Sequence, residues 1–268
     1  MPATRPRPFS DKWLGAMIAV DALPGAPSCR GDVDAIVRHA IDDLAVFMRR
    51  GIDAIVLENS FDLPYIKPPL PTAAIEVMHR VAAAVRQRFD GLVGIQMLEA
   101  ANETALDIAA GADLDFVRVE GYVFAHIGGA GLIEGCAGQL HRQRVDLQHQ
   151  HIKLFGDIKK KHCAHALTGD LDIMDIARQS EFFLADGIIV TGSRTGEAPD
   201  CEELARVKAA VELPIIIGSG MTAENIEAYF SLADGFIVGS TFRCGGNFMA
   251  PVESGRVDKF MERWNALT

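Results

Sequence analysis

The chain has 268 residues, of which 49% are hydrophobic and 23% charged, an ordinary balance for a cored protein and one that excludes intrinsic disorder. Its formal net charge of −10 argues against nucleic acid or anionic lipid as a partner. Five scattered cysteines, Cys29, Cys136, Cys163, Cys201 and Cys244, show no Cys-x-x-Cys spacing; they read as reduced thiols in a cytoplasmic protein with no zinc or redox site.

The N-terminal MPATRPRPFSDKWLG has arginines but no apolar run behind them, so it is not read as a signal peptide. From there the chain alternates. Apolar or β-branched runs ending in turn chemistry predict strands at 16–20, 53–58, 92–98, 116–120, 152–158, 187–191, 214–218 and 235–239. None is long enough to cross a bilayer, and no membrane insertion is expected.

Helical segments lie between them. DVDAIVRHAIDDLAVFMRRG opens on an acidic cap and closes on Arg49, Arg50 and Gly51, matching both ends of a helix dipole. PTAAIEVMHRVAAAVRQRF opens on Pro71 and Thr72. The stretches beginning ANETAL, LDIMDI, DCEELA, TAENIE and SGRVDK, with the segment around 138–149, follow in the same role. Eight strands alternating with eight helices predict an α/β fold, a single (β/α)₈ barrel over 1–268 with 1–14 as an N-terminal extension. FAHIGGAGLIEG (124–135) reads as a glycine-rich loop above the fourth strand, where a mobile lid would sit.

The best-defined chemical signal is a matched pair, IIIGSGMTAEN (215–225) and FIVGSTFRCGG (236–246). Each is a buried strand running into Gly-Ser. Glycine lets backbone N–H groups approach an anion, so Gly218, Ser219, Gly220, Gly239, Ser240 and Thr241 are the candidate phosphate ligands. A phosphate pocket after the seventh and eighth strands recurs in this fold. The alternative is a pair of plain strand-to-helix turns. Arg243 either adds charge to that pocket or faces solvent. After the sixth strand, VTGSRTGEAPD (190–200) supplies Thr191, Gly192 and Thr195 as further polar ligands.

Charges on the other strands converge on the same end. Alternation puts Asp157, Lys159 and Lys161 on one face of the fifth strand, with Lys160 pointing outward. A lysine at the barrel mouth can hold phosphate, move protons or form a Schiff base; the competing reading is an ion-pair layer between Asp157 and Lys159 or Lys161. Arg118 and Glu120 share a face of the fourth strand, and Glu58, Asn59 and Asp62 crown the second. Glu58, Glu120, Asp157 and Lys161 are therefore the candidate catalytic groups, with Asn59, Asp62 and Arg118 as substrate ligands. His162 and His165 have a spacing compatible with a metal but lack a clear third ligand, and no metal or cofactor is assigned.

Taken together, DAIVLENSFDLPY, RVEG, GLIEG, HRQRVDL, Asp157…Lys161-His162, ADGIIVTGSRTGEAPD, PIIIGSGMTAENI and ADGFIVGSTFR resemble the BtpA family, over about residues 16 to 260. The resemblance implies a (β/α)₈ barrel. It implies functional positions at Glu58, Asn59, Asp62, Pro64, Asp157, Lys161, His162, Thr191, Gly192, Thr195, Gly196, Gly218, Ser219, Gly220 and Asn225. The family takes its name from a cyanobacterial protein needed for stable accumulation of photosystem I, and its wider membership is thought of as enzymes. Two departures stand out: Ala19 and Asp21-Ala22 replace a histidine and a Pro-Pro pair, and Glu120-Gly121 replaces an asparagine.

Two functions follow as expectations. One is an enzyme, an isomerase, lyase or hydrolase, acting on a small phosphorylated metabolite such as a sugar phosphate or a nucleotide-like molecule. The other is a non-enzymatic photosystem I assembly or stability factor. A homo-oligomer is expected, as for barrels in general.

Overall fold

The strands read as near-continuous apolar runs because a parallel sheet is covered on both faces. A computed structural model describes residue 9 and residues 12–268 other than 193 and 195. Among them, β1 (Trp13–Ala19), β2 (Ala54–Glu58), β3 (Leu92–Gln96), β4 (Phe116–Val119), β7 (Lys153–Asp157), β8 (Gly187–Val190), β9 (Ile215–Ile217) and β10 (Gly235–Val238) are all parallel and close into a barrel. Eight helices pack outside it: α1 (Val33–Met48), α2 (Thr72–Arg86), α3 (Asn102–Gly111), α4 (Ala137–Asp146), α5 (Ile173–Phe182), α6 (Cys201–Ala210), α7 (Ile226–Phe230) and α8 (Ser254–Asn265).

The caps fall where the sequence puts them. The Asp32 side chain accepts from Ala35 N at the start of α1, and Pro71 directly precedes α2. Each helix buries one stripe; α1 does so through Ile36, Ala40, Leu44 and Phe47, spaced three or four apart.

Period-two alternation sorts the strand side chains into two populations. Leu14, Ile55, Val93, Val117, Leu154, Ile188, Ile215 and Phe236 face the helices. Trp13, Ala54, Val56, Leu92, Phe116, Phe155, Ile189, Ile216 and Ile237 fill the barrel interior, with Phe9 packed against them. The Phe9 ring lies 5.2 Å from Phe155 and 5.8 Å from Phe116, so part of the segment expected to be a mere extension seals the floor of the barrel. β1 likewise begins at Trp13, inside that segment.

At the floor, one device occurs four times. Asp53, Asp115, Asp186 and Asp234 each stand immediately before a strand. Their carboxylates accept the backbone N–H of Leu14, Val93, Leu154 and Ile215 on the preceding barrel strand, at 3.1, 2.7, 3.0 and 2.9 Å. Their own N–H groups donate back to the carbonyls of the same four residues. Neighbouring strands are thereby joined in pairs: β1 with β2, β3 with β4, β7 with β8, β9 with β10.

The segment 124–135 departs from expectation. Instead of a loop it forms an antiparallel hairpin, β5 (His126–Gly128) and β6 (Gly131–Ile133). Two anchors hold it. Glu99 accepts from Gly129 N and Ala130 N at the tip, and Ile127 exchanges backbone bonds with Ala164. The glycines here serve a tight turn between strands, with Gly131 at φ +106°.

Candidate functional site

The inward-facing positions change character towards the C-terminal ends of the strands. One step above the aromatic and aliphatic filling lie Met17, Glu58, Gln96, Arg118, Asp157, Gly218 and Gly239. The small residues among them leave space that the larger ones line. The result is a cavity of about 400 Å³ at the barrel mouth. Its wall includes Glu58, Gln96, Arg118, Glu120, Lys160, Lys161 and His162, both Gly-Ser turns, and an apolar rim of Leu63, Tyr65, Leu98 and Phe248.

The charges are arranged as two ion pairs and a remaining amine. Arg118 Nε and Nη2 donate to Asp157 Oδ2 and Oδ1 at 2.7 and 2.9 Å, a buried bidentate fork. Burial opposes the guanidinium charge, but Asp157 outweighs it and the net shift of Arg118 is upward. Lys160 Nζ lies 2.6 Å from Glu120 Oε1 and 3.4 Å from Glu99 Oε1. Burial raises the Glu120 carboxyl above its ordinary range even with Lys160 beside it. Lys161 has no such partner. Burial first, and then the Arg118 charge, push its amine down to about 8.

This arrangement corrects the strand-alternation reading of 157–161. β7 ends at Asp157 and the chain turns at Lys159, where φ is +42°. Lys159 is thrown outward to the Leu171 carbonyl at 3.0 Å, whereas Lys160, expected outside, is turned into the cavity wall. Asp157 pairs with Arg118 rather than with either lysine.

Both Gly-Ser turns reach the cavity. Phe242 N and Arg243 N close a tight turn onto the carbonyls of Gly239 and Ser240. The N–H groups of Ser240 and Thr241, like those of Ser219 and Gly220, donate to no carbonyl among the described residues. Gly220 sits at φ +82°, and a Cβ there would collide with the backbone of Glu197 and Ala198. At Gly218 a Cβ would lie 3.2 Å from Arg118 Nη2, which places that guanidinium directly beneath the turn. Arg243 does neither of the things expected of it. It is buried, donates to Ala250 O at 2.8 Å and faces Asp43 at 3.5 Å, behind the turn.

Several other residues from the sequence serve the scaffold. Asn59 spends its amide on Leu98 N, Leu98 O and Asp62, and Asp62 also accepts from Leu23 N at 2.7 Å. The pair therefore fastens the loops after β1, β2 and β3 and lies outside the cavity lining, contrary to the ligand role expected of it. Thr191 and Gly192 also lie off the lining: Thr191 Oγ1 is buried without a partner, and Gly192 packs on the Glu197 carbonyl. Thr195 lies outside the described residues. Like Glu99, Gln96 is a cavity residue that the sequence reading missed. It is buried, lines the cavity and keeps Oε1 without a hydrogen bond. The signal was available: it shares a strand face with Leu92 and stands beside Glu58 in register.

His162 lines the cavity, whereas His165 bonds to the Lys160 carbonyl at 2.8 Å. No group of three or more His, Cys, Asp or Glu among the described residues is placed to hold a metal ion.

Comparison with known proteins is decisive for kinship. The model of the BtpA family matches residues 10–266. The chain belongs to the BtpA family. Among its relatives, the Caenorhabditis elegans protein "Uncharacterized protein F13E9.13, mitochondrial" is 42% identical, over 94% of this chain and 92% of that one. The photosystem I biogenesis protein BtpA of Synechocystis is 31% identical, over 90% of this chain and 83% of its own length. Solved barrels superpose on this BtpA-family chain. KGPDC from Streptococcus mutans gives a TM-score of 0.61 at 14% identity, covering 96% of this chain and 99% of that one. Phosphoribosyl anthranilate isomerase from Thermus thermophilus gives 0.59 at 13%, covering 96% and 100%. At such identities the likeness is one of fold. No helix among the described residues of this BtpA-family protein is long and apolar enough to cross a membrane.

Proposed function

We propose that this BtpA-family barrel is an enzyme acting on a small phosphorylated metabolite, a sugar phosphate or nucleotide-like molecule. The observation that carries the reading is the meeting of two open Gly-Ser turns and a set of buried ionisable groups on one cavity. The phosphate sits on Gly218–Gly220 and Gly239–Thr241, where free N–H groups and the Ser240 hydroxyl substitute for its water. Arg118, fixed by Asp157 beneath Gly218, orients the ligand. Glu58 and Lys161 face it as proton-transfer groups; Glu120 acts through its pair with Lys160, and Asp157 positions Arg118. His162 covers the edge of the site.

The charged wall and the Leu63, Tyr65, Leu98 and Phe248 rim of the same cavity suit a ligand with both polar and apolar parts. A homo-oligomer and a cytoplasmic location belong to the same proposal, the latter resting on five free thiols.

Thermal shift against inorganic phosphate and a set of phosphorylated metabolites tests it, because a ligand that binds the native state alone raises Tm. Stabilisation that disappears in Ser219→Asp and Ser240→Asp supports the reading. A chain that ignores all of these compounds but co-purifies with a membrane complex supports an assembly role instead.

A further inference from the structure

The chain has eight lysines, and seven have an acceptor. Lys12, Lys67, Lys159 and Lys208 bond to backbone carbonyls. Lys153, Lys160 and Lys259 pair with carboxylates. Lys161 alone has neither a hydrogen bond nor an ion pair among the described residues, and it is the one whose side chain lines the cavity without being neutralised there. A lysine with nothing to satisfy it is poorly explained as scaffold. Exposure does not account for it, since it is half-buried.

Its surroundings are those of a nucleophile. Burial withholds water from its ammonium, and Arg118, locked in place by Asp157, repels a second positive charge; against the nearby Glu58 and Asp157 carboxylates these push the amine down to about 8. Glu58 lines the same wall, and its Oε1 accepts from Ser60 at 2.7 Å. Gln96 Oε1, buried and unpartnered, offers an acceptor for a hydroxyl formed on the ligand. The two Gly-Ser turns line the same cavity.

We infer that Lys161 captures the carbonyl group of a phosphorylated aldehyde or ketone as a covalent iminium, with the phosphate held on the turns as in the function proposed above. The neutral Nζ adds to the carbonyl carbon, and the C=O π electrons move to oxygen, which takes up a proton. The nitrogen of this carbinolamine gives up a proton to Glu58. Glu58 returns it to the departing hydroxyl, which leaves as water while the nitrogen lone pair forms C=N. The sum is an amine and a carbonyl giving an iminium and water, with one proton taken from solvent and no change of oxidation state. The iminium then withdraws electrons from the adjacent carbon, the step that isomerisation and aldol cleavage share.

The test is borohydride trapping with glyceraldehyde 3-phosphate and with unphosphorylated glyceraldehyde, followed by peptide mass spectrometry. A reduced adduct on Lys161, at least about tenfold above that on any other lysine and suppressed by inorganic phosphate, is the expected result. Lys161→Arg removes the adduct yet keeps the Tm increase with inorganic phosphate, showing a folded site; Lys161→Met repeats the control with an uncharged side chain. In Ser240→Asp the advantage of the phosphorylated aldehyde disappears while glyceraldehyde still labels Lys161. If inorganic phosphate binds but neither aldehyde labels Lys161 in preference to exposed lysines, the iminium is wrong and the phosphate site stands. If both aldehydes label Lys161 equally and phosphate has no effect, the iminium stands and the phosphate site is wrong.

Discussion

Arg118 and Asp157 face each other across the neighbouring strands β4 and β7 and close a two-bond fork, at 2.7 and 2.9 Å, inside the mouth of the barrel. Taking one partner from such a buried pair strands the other charge. Arg118→Met should therefore lower stability by about 3–5 kcal/mol, and the double variant Arg118→Met/Asp157→Leu should recover most of it. Urea denaturation of the parent, Arg118→Met, Asp157→Leu and the double variant decides this; an additive double variant means that the two residues are uncoupled.

Glu99 ties down the tip of the β5–β6 hairpin through Gly129 N and Ala130 N. A two-stranded hairpin has little stability of its own, and bonds to a charged acceptor contribute roughly 1.5–3 kcal/mol each. Glu99→Ala should speed amide exchange across 126–133 by at least about tenfold while the floor of the barrel stays protected. Equal exchange in variant and parent would show that the Ile127–Ala164 bridge suffices.

Two glycines with nearly the same φ separate strain from collision. Gly31 has φ +80° and open space around its would-be Cβ, whereas Gly220, at φ +82°, faces the backbone of Glu197 and Ala198. Gly31→Ala should cost about 1–2 kcal/mol, from conformation alone. Gly220→Ala should cost more and also abolish the phosphate-induced Tm shift. Matching losses in thermal melts would deny Gly220 its packing role.

Behind the second turn, burial raises the Asp43 carboxyl to about 6 despite Arg243 at 3.5 Å. A group whose folded value exceeds its unfolded one binds its proton more tightly in the native state. Its contribution is present below about pH 4 and is lost as pH rises through about 6. Asp43→Asn should flatten the stability profile in that window, as read from denaturant midpoints between pH 4 and 7. A profile with unchanged slope would assign the titration elsewhere.

The barrel was legible because its signals are local. Eight apolar runs with turn chemistry at their ends fell within a few residues of the observed strands, and the two Gly-Ser ends landed on one cavity. What stayed hidden depended on where strands stop. The period-two rule put Lys160 outside because it assumed a strand through residue 158; β7 ends one residue earlier, and the turn at Lys159 exchanges the roles of its neighbours. Asn59 and Asp62 looked like ligands because polar residues above a strand end serve either loops or substrates, and only their partners distinguish the two. Gln96 escaped because a lone amide among aliphatic residues carries no motif. The hairpin at 126–133 was read as loop because its strands are three residues each and rich in glycine.

The four aspartates under the strands have a consequence for how the protein can change. Each binds a seam between two adjacent strands at the end opposite the cavity, and Asp115, Asp186 and Asp234 add ion pairs to Arg86, Arg144 and Lys208 on the surrounding helices. Closure of the cylinder is thus written in four short, separate instructions, none of which shares a residue with the mouth. Reworking the mouth leaves those instructions intact. The lining of the mouth and the assembly of the barrel are in this way open to independent selection.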